Sequence, residues 1–194
     1  MRHRIRDLLF AFVILIFLFP LFAAISAAIL LFHGKPVFYR EKRAGFHGKP
    51  FTIFKFRTLV ANQGKAATTN DLENRIVKNG TPENCSNDFF KFLRKYSLDE
   101  LPQIWNVLKG DMSLVGPRPM PPDELDYRFG PDASKVTSVL PGMTGLWQIS
   151  GRNDLPLEER HRLDLFYVET KSPLGDCKII LKTFYAVLSG RGAY

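Results

Sequence analysis

The chain has 194 residues, 45% of them hydrophobic, and carries 27 Lys and Arg against 19 Asp and Glu, a formal net charge of +8. Two widely separated cysteines, Cys85 and Cys177, exclude a disulfide framework and fit a reducing compartment. The four histidines show no metal-ligand spacing, and the basic balance suits an anionic lipid surface, a phosphorylated substrate or a nucleic acid without choosing among them.

Leu8 to Phe32 is an unbroken apolar run of roughly 25 residues, enough to cross a hydrocarbon core of about 30 Å. Arg2, Arg4 and Arg6 precede it, and Lys35, Arg40, Lys42 and Arg43 follow it, so the positive-inside bias holds both ends on the cytoplasmic side. Pro20 reconciles length with charge. If the helix breaks there, Leu8 to Phe19 and Leu21 to Phe32 each rise about 18 Å, enough to enter half a bilayer and return. The expectation is a re-entrant membrane hairpin over residues 1–34 and a cytoplasmic catalytic domain over 35–194. A single straight span with a mild kink is the competing reading of the segment alone. The length argues against a cleaved signal peptide, whose apolar region is about 7 to 15 residues.

Val37 to Arg40 and Phe51 to Arg57 read as two strands joined through Gly45 and Gly48, with Phe54 and Phe56 on one face and Lys55 and Arg57 on the other. Val60 to Cys85 is polar and aperiodic, a long loop or a weak helix. It contains or abuts the glycosylation-like patterns at Asn79 and Asn84, which mean little on a cytoplasmic face. From Asn87 onward Phe89, Phe90, Phe92, Leu93 and Tyr96 alternate with Lys91, Arg94 and Lys95 at helical spacing. Such a helix lies in a membrane interface or packs one face on the core. Lys178 to Leu188 has the same dual reading. The predicted fold class is α/β in the loose α+β sense: helix-rich, with a small hairpin or sheet and amphipathic interfacial helices.

Chemistry concentrates in three later segments. Ser97-Leu98-Asp99-Glu100-Leu101-Pro102-Gln103 reads first as a capping box, Ser97 with Glu100, for a helix over Leu98 to Leu108. It also places Asp99 in a first turn, where free amides favour a carboxylate and a phosphate, and where a carboxylate serves as Mg²⁺ ligand and as nucleophile toward phosphorus. Gly116-Pro117-Arg118-Pro119 fixes one guanidinium between prolines, suited to clamping phosphate, although a plain loop reads the same way. Pro141 to Gln148, continuing to Gly151, Arg152 and Asn153, offers glycines for close backbone approach, donors, and Trp147 as a flat wall for a base or sugar.

Taken in order, these blocks resemble the monotopic bacterial sugar transferases, or phosphoglycosyl transferases. The resemblance runs from Arg4 and Asp7 through Lys55-Phe56-Arg57-Thr58, the Asp99-Glu100 block, Asn106 to Ser113, Gly116 to Pro119, Pro141 to Gln148 and Gly151-Arg152-Asn153. It implies the form without an additional N-terminal membrane domain. It further implies transfer of a sugar-1-phosphate from a UDP-sugar to polyprenyl phosphate (undecaprenyl phosphate), releasing UMP, at the cytoplasmic face of a bacterial inner membrane. Carried over, Asp99 is nucleophile and Mg²⁺ ligand and Glu100 assists. Lys55, Arg57, Arg118, Gln148, Gly151, Arg152 and Asn153 hold substrate. Trp147 leans toward a hexose such as galactose or glucose. Phe19 precedes Pro20 where many members have Ser, Leu140 stands where many have Arg, and Asn79 to Asp88 departs from the usual pattern.

Two other classes compete. One is a membrane-anchored basic module that binds anions or nucleic acid without catalysis; the Asp-Glu pair argues against it, since a pure anion binder has little use for carboxylates beside its arginines. The other is a bitopic transferase with its domain outside the membrane.

Overall fold

A computed structural model describes residues 2–58, 87–190 and 192. The aperiodic segment and the glycosylation-like patterns read above at Asn79 and Asn84 fall outside the described residues. The chain opens on α1, Arg2–His33, which continues as helix through Pro20. This corrects the expected break into two half-helices. Asp7, Ala11, Ile25 and Ile29 are buried, and Ile14, Leu15 and Phe22 pack with them against the domain, so one stripe at helical spacing is docked on both sides of the proline. Contacts flanking Pro20 offset the roughly 3 kcal/mol that an interior proline costs. The opposite face stays uncovered: Phe17 is 79% and Leu31 83% exposed.

Two polar contacts pin α1 near its ends. The Ser113 hydroxyl donates to Asp7 Oδ2 at 2.5 Å. At the other end Arg57 Nη2 donates to the carbonyls of His33 and Gly34, at 2.5 and 2.7 Å. A guanidinium there satisfies carbonyls that a helix C-terminus leaves free.

β1 (Phe38–Ala44) and β2 (Pro50–Phe56) form an antiparallel hairpin, Phe38 opposite Phe56 and Ala44 opposite Pro50. The turn uses His47 and Gly48 at positive φ, 52° and 71°. Ile53 enters the main core, while Phe56 packs on Phe22 and Phe38. Asn106, fully buried, donates to the Thr52 carbonyl at 2.7 Å and accepts from the Phe54 amide at 3.2 Å, completing the hydrogen bonds of β2.

α2 (Asp88–Lys95) begins at Asn87, whose side chain accepts from the Phe89 amide. Phe90 and Leu93 are buried, so this helix packs one face on the core. A 3₁₀ segment, Leu98–Gln103, follows, then α3 (Ile104–Lys109), which Gly110 ends at φ 88°. The single helix expected over Leu98 to Leu108 is therefore two pieces. β3 (Ser113–Val115) pairs in parallel with β4 (Gly142–Thr144), and α4 (Pro122–Phe129) and α5 (Ala133–Val136) lie between them in the chain. α6 (Leu146–Ser150), α7 (Leu157–Thr170) and α8 (Pro173–Ser189) complete the fold. The main core gathers Ile53, Ile104, Val107, Met112, Val115 and Tyr167. The helix-rich α/β class read from the sequence is the class observed.

Candidate active site

Glu100 sits in the first turn of the 3₁₀ segment and takes hold of two cations from different elements. Lys55, on β2, donates to its Oε1 at 2.7 Å. Arg118, between its two prolines, donates to Oε1 at 2.6 Å and to Oε2 at 3.3 Å, a two-pronged grip. Glu100 is thereby diverted from the capping box. Ser97 stands in the left-handed region, φ 52°, with no capping bond from its side chain, and its hydroxyl accepts from Arg152 Nη2.

Asp99 is 8% exposed and makes no hydrogen bond or salt bridge among the described residues. Burial, and then the charge of Glu100, push its carboxyl up to about 6, against the pull of Lys55, Arg94 and Arg118. Glu100 goes the other way. Burial pushes it up, but Arg118 and Lys55 together outweigh burial and hold it well below the usual carboxylate range. Two adjacent acids thus diverge, one firmly ionised and spoken for, the other of intermediate basicity and uncommitted. Both face a cavity of about 990 Å³.

Trp147, on α6, is 6% exposed, with the guanidiniums of Arg118 and Arg160 lying 5.8 and 5.4 Å from its ring centre. It lines the cavity with both arginines packed near its ring. Gln148 and Arg152 line the cavity, and the Gln148 amide atoms, Arg152 Nη1 and Trp147 Nε1 are buried without partners among the described residues. Asn153 also lines it, but Arg160 donates to its backbone carbonyl at 2.9 Å and its Oδ1 at 3.4 Å.

Of the residues read from sequence, Lys55, Asp99, Glu100, Arg118, Gln148, Arg152 and Asn153 converge on this cavity. Arg57 and Gly151 are not among its lining residues. Arg57 is committed to the end of α1, and Gly151 turns the chain after α6 at φ 154°. The glycines at 142 and 145 serve backbone packing: a Cβ on Gly142 would lie 2.0 Å from the Gly116 amide nitrogen, and one on Gly145 would lie 2.5 Å from the Gly116 carbonyl oxygen. That contact sets the Arg118 loop, with the Gly116 amide donating to Thr144 and the Gly142 amide to Pro117, both at 2.9 Å. Arg94 and Arg160 line the cavity and were not singled out from sequence; Arg94 read only as one charge on an amphipathic helix.

Among the described residues no cluster of three or more His, Cys, Asp or Glu is placed to hold a metal ion. Of the carboxylates that line the cavity among the described residues, Glu41, Glu100 and Glu124 are held in ion pairs and Asp99 is not. That fits Mg²⁺, which is commonly bound by one or two carboxylates with substrate phosphates and water completing its shell.

An uncommitted carboxylate and a cluster of guanidiniums thus share the lining of one cavity. The chain belongs to the bacterial sugar transferase family, whose model matches residues 1–190. It is 43% identical over 168 residues to undecaprenyl-phosphate galactose phosphotransferase of Salmonella typhimurium, an alignment covering 83% of this chain and 35% of that protein. It is 38% identical over 205 residues to the exopolysaccharide production protein ExoY of Sinorhizobium fredii, covering 97% of this chain and 86% of that one. It is also 38% identical over 202 residues to UDP-glucose:undecaprenyl-phosphate glucose-1-phosphate transferase of Klebsiella pneumoniae, covering 98% and 41%. The chain thus spans about a third of the Salmonella relative and most of ExoY.

Proposed function

We propose that the protein transfers a hexose-1-phosphate from a UDP-sugar to a polyprenyl phosphate, with Asp99 as the nucleophile. The observation that carries this is the contrast between Asp99 and Glu100: one carboxylate is tied to Lys55 and Arg118, the other is buried, uncommitted and faces the same cavity. An Asp99 oxygen attacks the β-phosphorus, the bond from that phosphorus to the bridging oxygen breaks, and UMP departs with the bridging oxygen. A phosphate oxygen of the lipid then attacks the same phosphorus, and the Asp99 carboxylate is released as the diphosphate forms. Splitting the transfer allows UMP to leave before the acceptor arrives.

Glu100 holds Lys55 and Arg118 at the place where phosphate oxygens gather charge, and positioning with charge neutralisation is most of what phosphoryl transfer requires. Gln148 and Arg152, with buried donors that lack partners among the described residues, are the side that receives the nucleotide or sugar. Asp99 would hold Mg²⁺, which when bound offsets charge on the diphosphate. The choice of a hexose follows the galactose and glucose in the relatives' names, not Trp147, which is buried.

The exposed apolar face of α1 supports membrane association, and the basic residues on both sides of it support a monotopic seat on the cytoplasmic leaflet. A continuous α1 bears equally on a deep kinked insertion and on a span, so protease access to both termini in sealed vesicles decides topology. For the chemistry, the test is UMP release from UDP-galactose and UDP-glucose with Mg²⁺. The wild type releases UMP and Asp99→Asn does not; release by both at one rate removes Asp99 from the reaction.

A further inference from the structure

The cavity is larger and more apolar than a nucleotide-sugar needs. At about 990 Å³ it stands at the upper end of small-molecule sites, which run to about 1,000 Å³. Besides the carboxylates and arginines, its lining includes two apolar rows that serve as the walls of a trough: Phe10, Val13 and Phe17 from α1, and Ile180, Phe184 and Leu188 from α8. The first three are spaced by three and four residues and the second three by four, so each wall is one row along one helix face. Three of these side chains are largely bare, with Phe17 at 79%, Phe184 at 63% and Leu188 at 74% exposure. Neighbouring residues Phe12 and Leu181 are equally apolar and exposed, yet they line no part of the cavity.

We propose that this trough between α1 and α8 seats the first isoprene units of the acceptor, with its phosphate lying toward Arg94, Arg118 and Asp99. The assignment rests on the transferase reading above and adds where the lipid lies. Charge complementarity selects the occupant. A single cavity lined by arginines and by two long apolar rows fits an amphiphile with a phosphate head and a long hydrocarbon tail. A UDP-sugar has no apolar portion to cover the six wall residues. Because α1 itself forms one wall, a lipid drawn sideways from the bilayer reaches the phosphorus without leaving apolar surroundings.

The test separates the two half-reactions. Phe17→Asn, Phe184→Asn and the controls Phe12→Asn and Leu181→Asn are made in the full chain and assayed in detergent micelles. UMP release without acceptor reports the donor step; label transfer to undecaprenyl phosphate reports the acceptor step. The wall variants raise the acceptor KM at least tenfold while the donor KM moves less than twofold, and the controls move neither. Geranyl phosphate, which consists of the first two isoprene units alone, loses a similar factor between wild type and wall variants as undecaprenyl phosphate does. Equal acceptor KM values in wall variants and controls overturn the trough. Inhibition by phosphatidylglycerol as strong as that by a non-reactive polyprenyl phosphonate also overturns it, since the trough then takes any phosphate amphiphile. A wild type that releases no UMP from any UDP-sugar sinks the transferase reading itself.

Discussion

Arg118 grips Glu100 with both guanidinium nitrogens, at 2.6 and 3.3 Å, and leaves its neighbour Asp99 without an ion pair among the described residues. The two acids are consecutive in the chain but belong to different parts of the machinery. One organises cations; the other is left to react.

Glu100→Gln removes the charge that anchors Lys55 and Arg118 but preserves the shape. A bond between charged partners contributes about 1.5–3 kcal/mol, so the donor step is expected to slow by about ten- to a hundredfold. Asp99→Asn removes the attacking oxygen and abolishes it. Single-turnover UMP release distinguishes a slowed reaction from a lost one.

The pH dependence has a definite sign. Asp99 attacks as the carboxylate, and its carboxyl is pushed up to about 6, first by burial and then by Glu100. The donor step therefore weakens as pH falls through about 6. Raising Mg²⁺ moves that limb to lower pH, because a bound cation favours the ionised form. Glu100→Gln also moves it lower, by withdrawing the neighbouring negative charge. Rates between pH 5 and 8 at two Mg²⁺ concentrations check both shifts.

Stability carries the same signature. The folded state raises Asp99 from 3.8 to about 6, so it binds a proton more tightly than the unfolded chain does. Stability from this group is complete below the lower value and is lost as pH rises to the upper one, a cost on the order of 3 kcal/mol at neutral pH. Asp99→Asn is therefore expected to raise Tm at pH 7.5 and to gain nothing at pH 3.5. Thermal melts of both proteins at the two pH values read this directly.

Arg57→Ala takes the donor from the His33 and Gly34 carbonyls, at a cost of about 1–3 kcal/mol. Because Arg57 does not line the cavity, Tm falls while the donor KM holds within about twofold. Gly142→Ala behaves differently. The new methyl collides with the Gly116 backbone, the Arg118 loop must shift, and both stability and activity collapse.

The legible parts were those where local pattern and tertiary role agree. The hairpin, the apolar helix and the amphipathic α2 and α8 follow from residue type and spacing, whereas a common site for Lys55, Glu100 and Arg118 was implied only by the family resemblance. Pro20 misled because a local rule predicts a break, whereas contacts made by Ala11 and Phe22 on either side hold the helix together. Ser97 misled similarly: its capping box is sound locally, but Lys55 and Arg118 arrive from 45 and 18 positions away and outcompete the backbone amide for Glu100. Arg57 alternates with Lys55 only until the strand ends at Phe56, after which its side chain serves α1. The trough was invisible, since it needs two helices that lie more than a hundred residues apart in sequence to face one another.

The central claim is a bond between Asp99 and phosphorus, and intact-mass measurement of the protein after brief exposure to UDP-galactose or UDP-glucose with Mg²⁺, without acceptor, tests it most directly. A gain equal to one hexose phosphate, mapped by peptide sequencing to Asp99 and discharged by undecaprenyl phosphate, is the expected result. Full UMP release with no mass gain on the protein, under quench conditions that preserve an acyl phosphate, contradicts the account.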